Sequence, residues 1–277
     1  MNDLPSLKKF TDNLGKQEYT MPVLFVGHGS PMNAIEDNEF STRWASIARE
    51  IPLPAAVLVV SAHWMSTGTW VTAMDFPRTI HDFSGFPRPL YDVRYPVPGN
   101  PALAGMIAST APLRNIGLDH EWGLDHGSWS VVRHIYPEAN IPVLQLSIDY
   151  TKSPQFHYDL AQELYRLRTK GVLIIGSGNI VHNLRLAAWD KMDVPGYGFD
   201  WALEMNDTCK QLIANGDPEP LINYERLGIE WRLAIPTPEH YIPLLYTLGL
   251  QNTNDNISFF NDKAVAGSIT MTSVKFG

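Results

Sequence analysis

The stretch PVLFVGHGSPMN, residues 22–33, decides the reading of the fold. It starts as an unbroken apolar run of Val, Leu and Phe with no polar residue on every second position. Such a run reads as a strand covered on both faces, the pattern of a parallel sheet flanked by helices. The run ends in Gly27-His28-Gly29. Core packing gives no reason to set an imidazole between two residues without side chains. Flanking glycines let the backbone turn sharply and leave open space beside the ring.

Outward from this stretch, the same kind of run recurs as AAVLVVSA (55–62), IPVLQLSI (141–148) and VLIIGSG (172–178). Between the runs lie stretches that read as helices, at 39–51, 102–111, 154–170 and 201–215. Alternation of strands and helices predicts an α/β fold. We expect a single domain with a central, largely parallel or mixed sheet covered by helices on both faces. The domain is expected to span residues 21–277, with residues 1–20 as an N-terminal extension. Segment 75–100, DFPRTIHDFSGFPRPLYDVRYPVPGN, is too long for an idle connection and reads as an ordered functional loop.

With 277 residues, 44% of them hydrophobic, the chain can bury a full core without staples. A net charge of -8 argues against nucleic acid or an anionic membrane surface as a partner. The single cysteine, Cys209, can form neither an internal disulfide nor a cysteine-rich zinc site, which fits a reducing cytoplasm. No apolar signal-peptide region opens the sequence, and no apolar run is long enough to cross a bilayer. The expectation is a cytoplasmic protein, monomer or small homo-oligomer, whose partner is a small molecule.

Five of the nine histidines stand in unusual local sequence: His28 in GHGSP, His63 in SAHW, His126 in DHGSW, His182 in GNIVHNL and His240 in PTPEHY. Ligands of parallel sheets collect outside the carboxyl ends of the strands. His28 and His63 are placed at the ends of the first two strands, and His182 just past the fourth. A single buried histidine is more often a hydrogen-bonded core residue than a ligand. Repeated placement at strand ends is what packing does not predict, and it points to a divalent transition metal. His134 and His157 read as ordinary helix-face or surface residues. His81 and His120 stay open, His81 lying in the long loop. There is no HExxH, GxSxG, GxGxxG or Walker motif, so no nucleotide cofactor is expected.

The motifs GHGSPMN, SAHW, TIHDFSGFP, YPVPG, DHGSW, QLSID, SGNIVHNL and IPTPEHYIPLL occur in this order along the chain. Together they resemble the 4,5-DOPA extradiol dioxygenase family, a branch of the class III extradiol ring-cleavage dioxygenases in the LigB-like superfamily. The resemblance runs from about residue 21 to the C-terminus. It implies cleavage of a catechol such as L-DOPA beside its diol, with O2 and one divalent metal per chain. Fe(II) suits the ring cleavage and Zn(II) a resting form. The resemblance implies His28 and His63 as metal ligands, with His240 as the third and Glu239 as its fallback. It implies His182 as an acid/base group that also reaches the metal at rest, and His126 as a further catalytic histidine. A set of His28, His63, His182 and His240 departs from the two-His-one-carboxylate site of Fe(II) oxygenases. The expectation is that His182 or His240 swings away when substrate binds. In the long loop, His81, Phe83, Phe86 and Tyr91 are expected to wall the ring. Two other readings use the same histidines: a zinc-dependent hydrolase and a Memo-like binding protein.

Overall fold

A computed structural model describes residues 19–277. The expected N-terminal extension lies outside the described residues up to residue 18. The opening run forms β1 (Val23–Gly27), followed by α1 (Glu39–Ile47), β2 (Ala56–Ser66) and β3 (Trp70–Thr72). The long loop holds one short helix, α2 (Arg88–Tyr91), and leads into α3 (Pro101–Thr110) and β4 (Gly117–Asp119). Next come α4 (His126–Ile135), β5 (Val143–Asp149), α5 (Pro154–Leu164) and β6 (Val172–Gly178). The C-terminal part contains α6 (Asp200–Ala214), α7 (Pro218–Ile222), α8 (Ile229–Ala234) and α9 (Ile242–Gly249). It closes with β7 (Ile257–Phe260), β8 (Ala264–Val265), β9 (Ile269–Thr270) and β10 (Ser273–Phe276).

Local chemistry sets the helix starts. The Asn38 side chain caps α1 by accepting from the Phe40 and Ser41 N–H groups, and Asp125 caps α4 by accepting from Ser128 N–H. Asn100 followed by Pro101 opens α3.

The main sheet has the order β4-β3-β5-β2-β6-β1-β10-β7. Its four central strands, β5, β2, β6 and β1, run parallel and are the four read from the sequence. At one side β10 and β7 are antiparallel, and at the other β3 opposes β5, so the sheet is mixed. Alternate side chains go to opposite faces. Val23, Phe25, Leu58 and Val60 pack with residues of α3, α5, α6 and α9. Leu24, Val26, Val57 and Val59 pack against Trp44 of α1 and Trp129 of α4. Helices therefore cover both faces, as the apolar runs imply. The adjacency β2-β6-β1 sets three carboxyl ends side by side, with His63 near the end of β2, His28 directly after β1 and His182 four residues past β6.

Candidate active site

His28 follows β1 directly, and its N–H bonds Gly178 O at the end of β6 (3.1 Å). The neighbouring glycines are both required. Gly29 has φ of +59°, and a Cβ on Gly27 would come within 2.6 Å of the Met271 backbone. His63 does not end its strand, as expected from sequence, but lies within β2. The β2–β5 register shifts between Val60 and Met65, and His63 sits in that irregular stretch. A bulge of this kind re-aims a side chain, which here turns into the site. His126 is the first residue of α4. His182 comes four residues after β6 and bonds Ala234 O through its N–H (2.9 Å). His240 lies between α8 and α9, its carbonyl accepting from Asn179 N–H (2.9 Å).

All five of these imidazoles meet. The Nε2 atoms of His28 and His63 are 3.2 Å apart. The ligand atoms of His28, His63 and His126 lie within 4.8 Å of one another, and so do those of His182, Glu239 and His240. Ring centroids of His28 and His240 are 5.3 Å apart, and those of His63 and His240 5.0 Å. His182 stacks on His240 at 3.5 Å with the planes 12° from parallel. A metal bond lies in the plane of its imidazole, so two stacked rings do not aim at one point.

The partners of each Nδ1 fix the tautomers. The Ser177 hydroxyl donates to Gly127 O (2.6 Å), so its oxygen accepts from His28 Nδ1–H (3.1 Å). The Nδ1 of His126 is 2.9 Å from Asp82 Oδ2, that of His63 is 3.4 Å from the same atom, and that of His240 is 3.4 Å from Glu239 Oε1. Ionised carboxylates only accept, so the hydrogen-bonded Nδ1 atoms of His126 and His240 carry the proton and their Nε2 atoms keep the lone pair; the Asp82 carboxylate meets His63 Nδ1 as a charge contact. This is the usual outer arrangement of metal-binding histidines.

Burial keeps His28, His63, His182 and His240 neutral. It drives His28 well below its ordinary range, helped by the charges of His63 and His240, and does the same to His240 with help from His182. Burial pushes His63 down to about 3 and His182 to about 4, with Glu239 opposing the shift of His182. Asp82 is shifted down as well, which keeps it charged. Partial burial raises its carboxyl, but the hydrogen bond from His126 and the charges of His126 and His63 outweigh it and hold the group low. The donor set fits a divalent cation. The Nε2 atoms of His28 and His63, 3.2 Å apart with the His240 ring beside both, are spaced to share one ion.

The cluster floors a cavity of about 760 Å³. Phe40, Phe86, Val265, Ile269 and Met271 give it apolar walls, and the strap from Leu184 to Gly196 forms one side. Of the four loop residues expected to wall the ring, only Phe86 lines the cavity. Phe83 packs edge-on against His126 behind it (5.5 Å), while His81 turns away to bond Val93 O (3.1 Å). His157 is not a surface residue. It is fully buried, with Nδ1 3.1 Å from the Tyr246 hydroxyl. His134, half-buried, bonds Asn33 O (2.9 Å).

Sequence reasoning missed Asp82, Ser177 and the strap at 184–196. Asp82 stood next to His81 in a loop already singled out, so a carboxylate beside a histidine was the available signal. Nothing in the strap, a chain of turns around one short 3-10 segment, marks it as a wall.

Comparison with known proteins agrees with this geometry. Residues 21–276 match the family model described as the catalytic LigB subunit of aromatic ring-opening dioxygenase. A protein of Escherichia coli K12 named 4,5-DOPA dioxygenase extradiol is 45% identical over 262 residues, covering 93% of this chain and 95% of that one. A protein of the same name from Beta vulgaris is 35% identical over 269 residues, covering 95% and 99%. The crystal structure of an uncharacterized protein from Escherichia coli K12 superposes with a TM-score of 0.79 at 40% identity, covering 93% of this chain and all of that one.

Proposed function

The chain belongs to the family of catalytic LigB subunits of aromatic ring-opening dioxygenases, and from that premise we propose that it cleaves L-DOPA or a closely similar catechol beside its diol. It is a metal-dependent extradiol dioxygenase that acts on a catechol with O2. The observation that carries the reading is the pair of neutral Nε2 atoms, 3.2 Å apart, on the floor of a cavity large enough for a substituted catechol.

A divalent ion held by His28, His63 and His240, Fe(II) in the working enzyme and Zn(II) at rest, would acidify the diol and relay electron density from the ring to O2. The chain's own residues move the protons. His126 receives the second phenolic proton at Nε2, and its Nδ1–H stays on the Asp82 carboxylate, which stabilises the imidazolium formed. His182, kept neutral by burial, is assigned the second proton transfer. Its stacking on His240 supports a role beside the ligand set rather than within it. The apolar walls keep bulk water from the reacting centre.

The lining also bears on the substrate's side chain. Glu36, Glu39 and Asp193 line the cavity and, among the described residues, no lysine or arginine does, although Lys263 pairs with Glu39. Arg88 is paired with Asp92, while Arg78 and Arg94 bond backbone carbonyls. A catechol with an ammonium group therefore suits the cavity better than one with only a carboxylate.

The test is to strip the protein of metal, reload it without air with Fe(II) or Zn(II), and add catechols before admitting O2. With Fe(II) alone, L-DOPA should turn yellow with matching O2 loss. Dopamine should show a KM about fivefold below that of 3,4-dihydroxyphenylpropionate, the equivalent of ~1 kcal/mol of partly exposed charge pairing. No colour and no O2 uptake with either metal across the panel would refute the reading.

A further inference from the structure

We propose that Asp82 is a positioning residue, one carboxylate that fixes the tautomers of both His63 and His126 and so presents both Nε2 lone pairs to the cavity. This role rests on the ligand set and proton acceptor proposed above. Two hydrogen bonds from His126 and a charge contact with His63 carry it. Asp82 Oδ1 accepts the His126 backbone N–H at 2.8 Å. Its Oδ2 lies 2.9 Å from His126 Nδ1 and 3.4 Å from His63 Nδ1. The two rings are only 3.9 Å apart, so the carboxylate that accepts from His126 also sets its charge beside His63 Nδ1.

The placement of Asp82 is built by the backbone. His126 begins α4, where the first N–H groups have no partner within the helix and a negative charge is favoured. Beside it, the long loop pairs with the chain that leads into α4. Leu124 N–H donates to Arg78 O (2.8 Å) and Ile80 N–H donates to Leu124 O (2.7 Å). Two residues further along each chain, the Asp82 side chain takes the place of the next backbone acceptor. The Trp129 indole, donating to Ile80 O at 2.7 Å, and Phe83 against the His126 ring hold this segment in place. An imidazole can carry its proton on either nitrogen, and the bond made by one nitrogen decides the state of the other.

Asp82→Asn keeps the size and shape and reverses the chemistry. The amide oxygen must take the His126 N–H, which can only donate. The NH2 group then faces both Nδ1 atoms as a donor, and the ring protons shift to Nε2, into the cavity. Histidine-selective 15N spectra of the metal-free protein at neutral pH read tautomers directly, with peaks assigned by His63→Gln and His126→Gln. In the unsubstituted protein both residues should carry the proton on Nδ1. In Asp82→Asn both should carry it on Nε2, and Zn(II) affinity against a chelating indicator should fall about 10–100-fold. An Nε2–H tautomer at either histidine in the unsubstituted protein would overturn the proposal. So would a folded Asp82→Asn that keeps Nδ1–H at both with undiminished Zn(II) affinity. Should Asp82→Asn not fold, the spectrum of the unsubstituted protein still decides. The spectra need neither metal nor substrate, so a failure of ring cleavage would count against the proposed reaction and not against this role.

Discussion

His157 shows what burial does to an imidazole with no metal to hold. It lies in α5, bonds the Tyr246 hydroxyl through Nδ1, and leaves its buried Nε2 without a partner among the described residues. Burial pushes it down to about 4, against the pull of the Asp149 charge. The unfolded chain takes up this proton below about 6.5, while the folded protein resists until about 4. The stability tied to neutral His157 is therefore whole above the unfolded value and is lost as pH falls from there towards the folded one. Between neutral pH and pH ~5 the loss is about 2 kcal/mol. His157→Gln should remove that share of acid sensitivity, so urea unfolding of the metal-free variant should lose less stability over this interval. Equal losses in both proteins would show that His157 does not titrate as described. Sequence alone did not separate this residue from an exposed one, because a helix has a buried face and a solvent face and a lone histidine fits either. His28, His63 and His182 were legible because strand ends in a parallel sheet converge. The tautomers were not, since they depend on Ser177 and Asp82, which are remote in sequence.

At the level of elements, length and composition decided what could be read. The four central strands are buried on both faces and consist largely of Val, Ile and Leu, so they stand out. The outer strands β3, β4, β7 and β10, two at each side of the sheet, have three or four residues each, too few to set a period. The end of β2 was misplaced because a bulge carries the strand past His63 to Ser66. The residue that opens α1 has two tasks, neither read from the sequence. Asn38 caps α1 and donates from Nδ2 to Asn33 Oδ1 (2.8 Å), and Asn33 Nδ2 donates to the His28 carbonyl (3.0 Å). The start of α1 is thereby tied to the turn that carries His28. Asn38→Ala should cost about 1 kcal/mol through loss of the cap. Asn38→Ser should recover most of that, because a hydroxyl also caps, yet it loses the link to Asn33. Chemical denaturation of the three proteins gives the comparison, and an unshifted midpoint for the alanine variant would dismiss the cap as a source of stability.

Across the whole molecule, the active cavity draws on segments from residue 28 to residue 271, so its floor depends on the two ends of the described chain being held together. β10 lies between β1 and β7, and this antiparallel edge had no signal in the sequence because its strands are short and their pairing is long-range. A buried ion pair fastens the same region. Arg168, at the end of the segment after α5, has no exposed side-chain surface. It bonds Asp255 through two nitrogens at 2.7 and 2.9 Å, Met21 O at 2.7 Å and Leu250 O at 2.6 Å. One guanidinium thus joins the start of β1, the chain before β6 and the turn before β7. Its charge is neutralised by Asp255 alone among these contacts. Asp255→Asn keeps the shape, removes the countercharge and leaves a buried cation facing neutral oxygens, which should cost about 3–5 kcal/mol. Replacing Arg168 with Met in the same background removes the stranded charge and should return part of that loss. Neither residue lines the cavity, so turnover below the unfolding temperature should match the unsubstituted enzyme in both variants. An Asp255→Asn protein with an unchanged unfolding midpoint would mean that the ends are held by strand pairing alone. Equal stability of the single and double variants would mean that the stranded charge is not the cause of the loss.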